Sequence, residues 1–171
     1  MRYKQEIEKL KRFILELEFP IDQICSALIM SINNEMNYLE WHSKNGIEPR
    51  YKDVAYMIHS ISKLSHDVRK DKILKVVKEL EEFENLSLNE KLREYAGKLI
   101  SIVNGIKSCV NEYGESWNYY TDRKFNERHT KLKEIREKVE ELENIFKEIR
   151  TKICGKKAKI RRKQKIKIRL R

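Results

Sequence analysis

The chain has 171 residues, enough for one domain, and 40% of them are hydrophobic against 38% charged. That ratio excludes a thick core, and five glycines with two prolines are too few for the turns of an all-β fold. The formal net charge is +11, yet ten of the 38 basic residues fall in residues 156–171, which hold no acid, so the other 28 meet 27 acids and residues 1–155 balance to about +1.

The first stretch places Tyr3, Ile7, Leu10, Ile14 and Leu17 at 3-4 spacing, one stripe of an amphipathic helix over residues 2–18. Its charges are interleaved with apolar residues, which does not read as a secretion signal. Pro20 is expected to interrupt the helix, with Asp22 capping a second one. That second helix carries Ile21, Ile24, Leu28, Ile32, Met36 and Leu39 and stops at Asn45-Gly46, residues that tolerate the left-handed conformation.

Pro49 suits the first turn of a third helix, striped by Val54, Ile58, Ile61, Leu64 and Val68. The phase then slips, and Ile73, Val76, Leu80 and Phe83 start a new stripe after a kink or break near residues 70–72. Glu79, Glu81, Glu82 and Glu84 make this stretch acidic. Ser87 with Glu90 reads as a capping box for a helix through Leu92, Tyr95, Leu99, Ile102, Ile106 and Val110, ending at Gly114. Gly97 and Gly105 inside it are unfavourable by about 1 kcal/mol each relative to Ala and are expected to mark close helix contacts.

The last helix is the longest and clearest. Leu132, Ile135, Val139, Leu142, Phe146, Ile149 and Ile153 keep heptad spacing, Phe125 extends it backwards, and Gly155 is a natural C-cap. Read as a parallel homodimer, Lys131 would face Arg136, and only Lys138 with Glu143 would attract. The charges therefore favour an antiparallel intramolecular bundle, with the acidic stretch at 79–84 among the candidate neighbours.

Cys25, Cys109 and Cys154 are an odd number without paired spacing, as in a reducing compartment. Cys25 and Cys109 fall on apolar helical faces, and Cys154 reads as an exposed thiol among lysines. No apolar run reaches 18 residues, so no membrane span is expected. Phosphate-binding glycine loops, paired-cysteine metal motifs and serine elbows are absent from the sequence, and no carboxylate pattern joins His42, His59, His66 and His129 into a metal site. No cofactor or metal is expected.

The cationic run, KKAKIRRKQKIKIRLR, repels itself and buries almost nothing, which predicts a disordered tail. Lys156, Lys157, Lys159, Arg161, Arg162, Lys163, Lys165, Lys167, Arg169 and Arg171 are candidate phosphate contacts. Each neutralised phosphate releases a counterion, so binding should fall steeply with salt. Residues 165–171 alternate strictly, a strand pattern that suits pairing with a partner's sheet edge or lying on a polyanion with the apolar side against the body. No aromatic residue is present there for base stacking.

Upstream of the last helix, Trp117, Tyr119, Tyr120, Arg123, Lys124, Phe125, Arg128 and His129 interleave aromatic and basic side chains. Single-stranded nucleic-acid sites need that mixture, and so does a helix start whose aromatics pack on the bundle. Within the run, Arg123 and His129 are separated by five residues, RKFNERH, which resembles the arginine–x(4–6)–histidine motif of HEPN ribonucleases. That family consists of helical bundles acting as dimers. The resemblance implies proton transfer by His129 and phosphate contact by Arg123. Lys124 departs from the polar residue common after the family's arginine.

The sequence therefore predicts an all-α, elongated antiparallel bundle of about five helices over 1–155. A long C-terminal coiled-coil-like helix leads into a disordered basic tail over 156–171. The expected function is non-catalytic, largely sequence-independent binding of the phosphate backbone of RNA or DNA in the cytoplasm, by a monomer or dimer. The tail is the main contact, and Trp117, Tyr120, Arg123, Lys124 and Arg128 form a secondary one. The alternatives are a HEPN-like ribonuclease using Arg123 and His129, and an adaptor whose tail docks on an acidic protein and whose helical surfaces meet a partner.

Overall fold

The computed structural model describes residues 2–63, 70–115 and 118–155, and no strand occurs among them. The elements are α1 (Arg2–Asn45), a 3-10 turn (Tyr51–Asp53), α2 (Ala55–Lys63), α3 (Lys70–Leu86), α4 (Glu90–Gly114), the short α5 (Asn118–Thr121) and α6 (Phe125–Cys154). The expected all-α antiparallel bundle is what these helices build. Pairs between helices give the directions. Arg128 with Glu35, Arg136 with Asn33 and Arg150 with Glu18 run α6 antiparallel to α1. Glu112 is reached by Lys131 and Lys138 while Gly105 lies against Leu142, so α4 is antiparallel to α6. Ser87 with Glu6 and Arg12 with Glu79 set α3 antiparallel to α1. The result is an up-down-up-down bundle whose second strut comes in two pieces, α2 and α3. No helix among the described residues is long and apolar enough to cross a membrane.

Pro20 does not break the first helix. α1 runs 44 residues through it, and Pro20 is itself buried. An interior proline costs about 3 kcal/mol. Leu17 and Ile21 stand four apart across it, so Leu10, Phe13, Ile14 and Leu17 share a stripe with Ile24, Cys25, Leu28 and Ile32. Each such side chain gains about 1.5–3 kcal/mol on burial, and a break at residue 20 would lift one half of the stripe off the bundle. Asp22 is accordingly an exposed mid-helix residue, not a cap.

Two other helix starts differ from expectation. Pro49 opens no helix, because the segment after α1 is tied back onto it. The Tyr38 hydroxyl donates to Asp53 (2.8 Å) and accepts from the Arg50 amide (3.0 Å), and His42 Nδ1 lies 2.9 Å from the Ile47 carbonyl oxygen. The N-cap of α4 is Asn89, not Ser87: the Asn89 side chain accepts from the Leu92 amide at 3.1 Å. Ser87 is drawn away by Glu6 of α1, to which its hydroxyl donates at 3.1 Å. Asn89→Ala is expected to lower stability by about 1 kcal/mol in urea unfolding, and Asn89→Asp to change it little. Equal losses for the two variants would mean that Asn89 does not cap α4.

The heptad seam of α6 faces α1 and α4, with Leu132, Ile135, Val139, Phe146 and Ile149 buried. The acidic stretch of α3 is mainly a partner of α1 and α4 instead, Glu79 pairing with Arg12 and the Glu84 carboxylate lying against Gly97. Gly105 does mark a close approach: a Cβ there would stand 2.9 Å from Leu142 Cδ1 of α6. Gly46 and Gly155 follow α1 and α6 with φ of 64° and 79°, as expected of helix stops. Lys70 to Lys72, where a break was expected, are part of α3. Leu64, His66 and Val68 lie outside the described residues, as does the whole of 156–171, the expected disordered tail.

Cys25 and Cys109 are buried core residues, and burial pushes the Cys25 thiol up to about 12 and raises that of Cys109. Cys154 is half-buried against α1 rather than exposed, its sulfur 4.0 Å from the Lys11 carbonyl oxygen. Desolvation there outweighs Arg150 and Lys11 and raises the thiol pKa, against the lowering that neighbouring cations alone would produce.

Candidate nucleic-acid interface

The ten tail cations, Lys156 to Arg171, lie outside the described residues, and so does Trp117. What the structure fixes is the root of the tail. Gly155 caps α6, its amide donating to Thr151 and its carbonyl accepting from Arg150. On the body, several cations pair with carboxylates. Arg12 reaches Glu16 and Glu79, Arg50 reaches Asp53, Lys147 reaches Glu143, and Arg150 reaches Glu18.

The interleaved run from Tyr119 to His129 divides into an inner and an outer set. Arg128 and Tyr120 point inward. The Arg128 guanidinium and the Glu35 carboxylate are both 0% exposed, with Arg128 Nε donating to Glu35 Oε2 at 2.7 Å and Nη2 to Oε1 at 3.2 Å. The Tyr120 hydroxyl donates to the same carboxylate at 2.8 Å, and the Arg128 guanidinium lies 5.3 Å from the Tyr113 ring centre. Burial, then the Glu35 charge, push both the Tyr120 and Tyr113 phenols up. Neither Tyr120 nor Arg128 presents a surface for a nucleic acid, which corrects the expectation for these two. The mixture that marks a stacking site in sequence here ties α5 and α6 to α1.

Arg123, Lys124 and His129 form the outer set. They line a cleft of about 900 Å³ between the end of α1, the loop after it and the first turns of α6. Arg123 and Lys124 are exposed. Arg123 is the only non-glycine residue with positive φ among those described, at 58°. The turn is closed by the Arg123 amide donating to the Tyr120 carbonyl oxygen (3.2 Å) and the Lys124 amide to that of Tyr119 (2.8 Å). Arg123 and His129 each have a carboxylate partner that no motif in the sequence marks. Arg123 Nε is 3.0 Å from Glu48 Oε1, and His129 Nε2 is 2.9 Å from Glu40 Oε1. Lys44 also lines the cleft.

No protein-family model, curated protein or solved structure matches the chain. Its chemistry rests on its own geometry. The cleft brings together three cationic side chains, Lys44, Arg123 and Lys124, and one imidazole, that of His129. The described residues hold no group of three or more metal-ligating side chains.

Proposed function

We propose that this chain is a non-catalytic, largely sequence-independent nucleic-acid-binding protein whose cationic segment, residues 156–171, supplies the affinity. The observation that carries this reading is the distribution of charge. In residues 1–155 the 28 basic residues are balanced in number by 27 acids, whereas ten cations without one acid follow Gly155. A polyanion with closely spaced phosphates is the partner that such a run fits. A cytoplasmic setting suits three free thiols, two of them buried. The test is fluorescence anisotropy of full-length protein and of residues 1–155 against single-stranded RNA and duplex DNA at several salt concentrations. Binding only by the full chain supports the reading; no binding by either at moderate salt leaves docking on an acidic protein in its place.

A second reading, a HEPN-like ribonuclease, is favoured by one observation: Arg123 and His129 line the same cleft. It assigns proton transfer to His129 and phosphate contact to Arg123. RNA cleavage that disappears with His129→Ala and survives loss of 156–171 is its expected signature. Intact RNA after prolonged incubation with wild-type protein removes it.

A further inference from the structure

The outer cleft carries a feature that neither tail binding nor catalysis requires. Two of its donor side chains are held by carboxylates from a different part of the chain, Arg123 by Glu48 and His129 by Glu40. Carboxylate and phosphate oxygens satisfy the same donors in similar geometry. We propose that the cleft is a binding site for a phosphate group of a nucleic-acid strand, and that Glu40 and Glu48 occupy it in the free protein. The proposal adds a site on the body, and it rests on the nucleic-acid reading only for the choice of ligand.

Three observations converge on this. The masking pair at Arg123 is open to solvent, Arg123 being 78% exposed and Glu48 53%, and exposed ion pairs exchange partners at little loss. The cation itself is pre-placed. A non-glycine residue at φ 58° is disfavoured, and here it is held by anchors on both sides. Tyr120 before the turn and Arg128 after it are both bonded to buried Glu35, so the segment presenting Arg123 cannot relax independently. Finally, Lys44 and Lys124 line the same cleft and pair with no carboxylate among the described residues, ready for a neighbouring phosphate, while Glu127 opposes them. The N-cap Lys124 gives no side-chain bond to the first turn of α6, so the positive end of that helix adds to the local field.

The test uses full-length protein and labelled single-stranded oligonucleotides, one with a 5′-phosphate and one with a 5′-hydroxyl. Glu40→Gln/Glu48→Gln together should tighten binding by about tenfold, as one or two new charge-assisted contacts would. The salt slope should steepen by about 0.7 for each phosphate engaged. Arg123→Ala in that background should abolish the gain. Glu81→Gln/Glu82→Gln, two charges removed from exposed positions on α3, reports the effect of net charge alone and should change affinity by less than about twofold. A gain on both oligonucleotides assigns an internal phosphodiester, and a gain confined to the phosphorylated one assigns a terminal phosphate. The proposal is overturned if Glu40→Gln/Glu48→Gln binds like wild type, if Glu81→Gln/Glu82→Gln matches its gain, or if the gain survives Arg123→Ala. Failure of the tail reading is distinct, because wild-type protein would then show no salt-dependent binding while the variants still report on the cleft.

Discussion

Arg128→Ala should destabilise the protein by about 3–5 kcal/mol, the largest loss expected from any single polar substitution in the bundle. The pair it breaks is 0% exposed on both sides, and truncation would leave the Glu35 carboxylate in the core with the Tyr120 hydroxyl as its remaining short partner. A buried charge stripped of its counter-ion is the penalty, not the loss of the attraction itself. Glu35→Ala should therefore cost a similar amount by stranding the guanidinium. Replacing both, Glu35→Leu with Arg128→Met, should cost far less than the sum, because well-packed apolar residues need no desolvation of charge, and the loss that remains is that of the Tyr120 hydroxyl left without its acceptor. Urea unfolding of wild type, Glu35→Leu, Arg128→Met and the double variant closes the cycle, and the coupling is the readout. Additive losses, or an Arg128→Ala protein within about 1 kcal/mol of wild type, would mean that the two groups are not a buried, mutually dependent pair.

The same pair shows what the sequence did and did not disclose. Apolar spacing alone located most of the helices, because a bundle helix must bury a stripe and its period is visible without partners. Helix limits were less legible. Pro20 reads locally as a stop, but the stripe keeps phase across it, and phase is what packing rewards. Ser87 and Asn89 are both good caps two residues apart; the choice was made by Glu6, 81 residues away from Ser87. Arg128 and Tyr120 looked like surface groups because composition does not say which way a side chain points. A signal did exist. Arg128 is seven residues before Ile135, hence in the heptad seam, and Glu35 lies three after Ile32 and four before Leu39, hence in the stripe of α1. One charge of each sign in two seams is the mark of a buried pair. The carboxylates at the cleft carried no such mark, since Glu40 and Glu48 are exposed residues whose pairing arises only when α6 returns along α1.

Removing residues 156–171 should abolish most nucleic-acid affinity, by about a thousandfold or more at low salt. The truncated protein keeps every described helix and a formal balance of about +1, while the segment removed carries ten positive charges. With most of those charges on phosphates, the log–log salt slope of the full chain should approach about −7 on a single strand and −9 on a duplex. Between 50 and 200 mM salt the affinity of such a protein falls by about 10³–10⁵. The truncation should show a slope near zero. Changing Arg161, Arg162, Arg169 and Arg171 together to Lys separates charge from geometry: the slope should stay, while affinity drops modestly as two-donor contacts become point charges. Affinity retained by residues 1–155 would move the binding site to the Arg123–His129 cleft, where unmasking by Glu40→Gln/Glu48→Gln should raise it further. A steep slope with no preference among sequences fits a clamp on the backbone, whereas a shallow slope with sequence preference requires base contacts that the tail, without an aromatic residue, is poorly equipped to make.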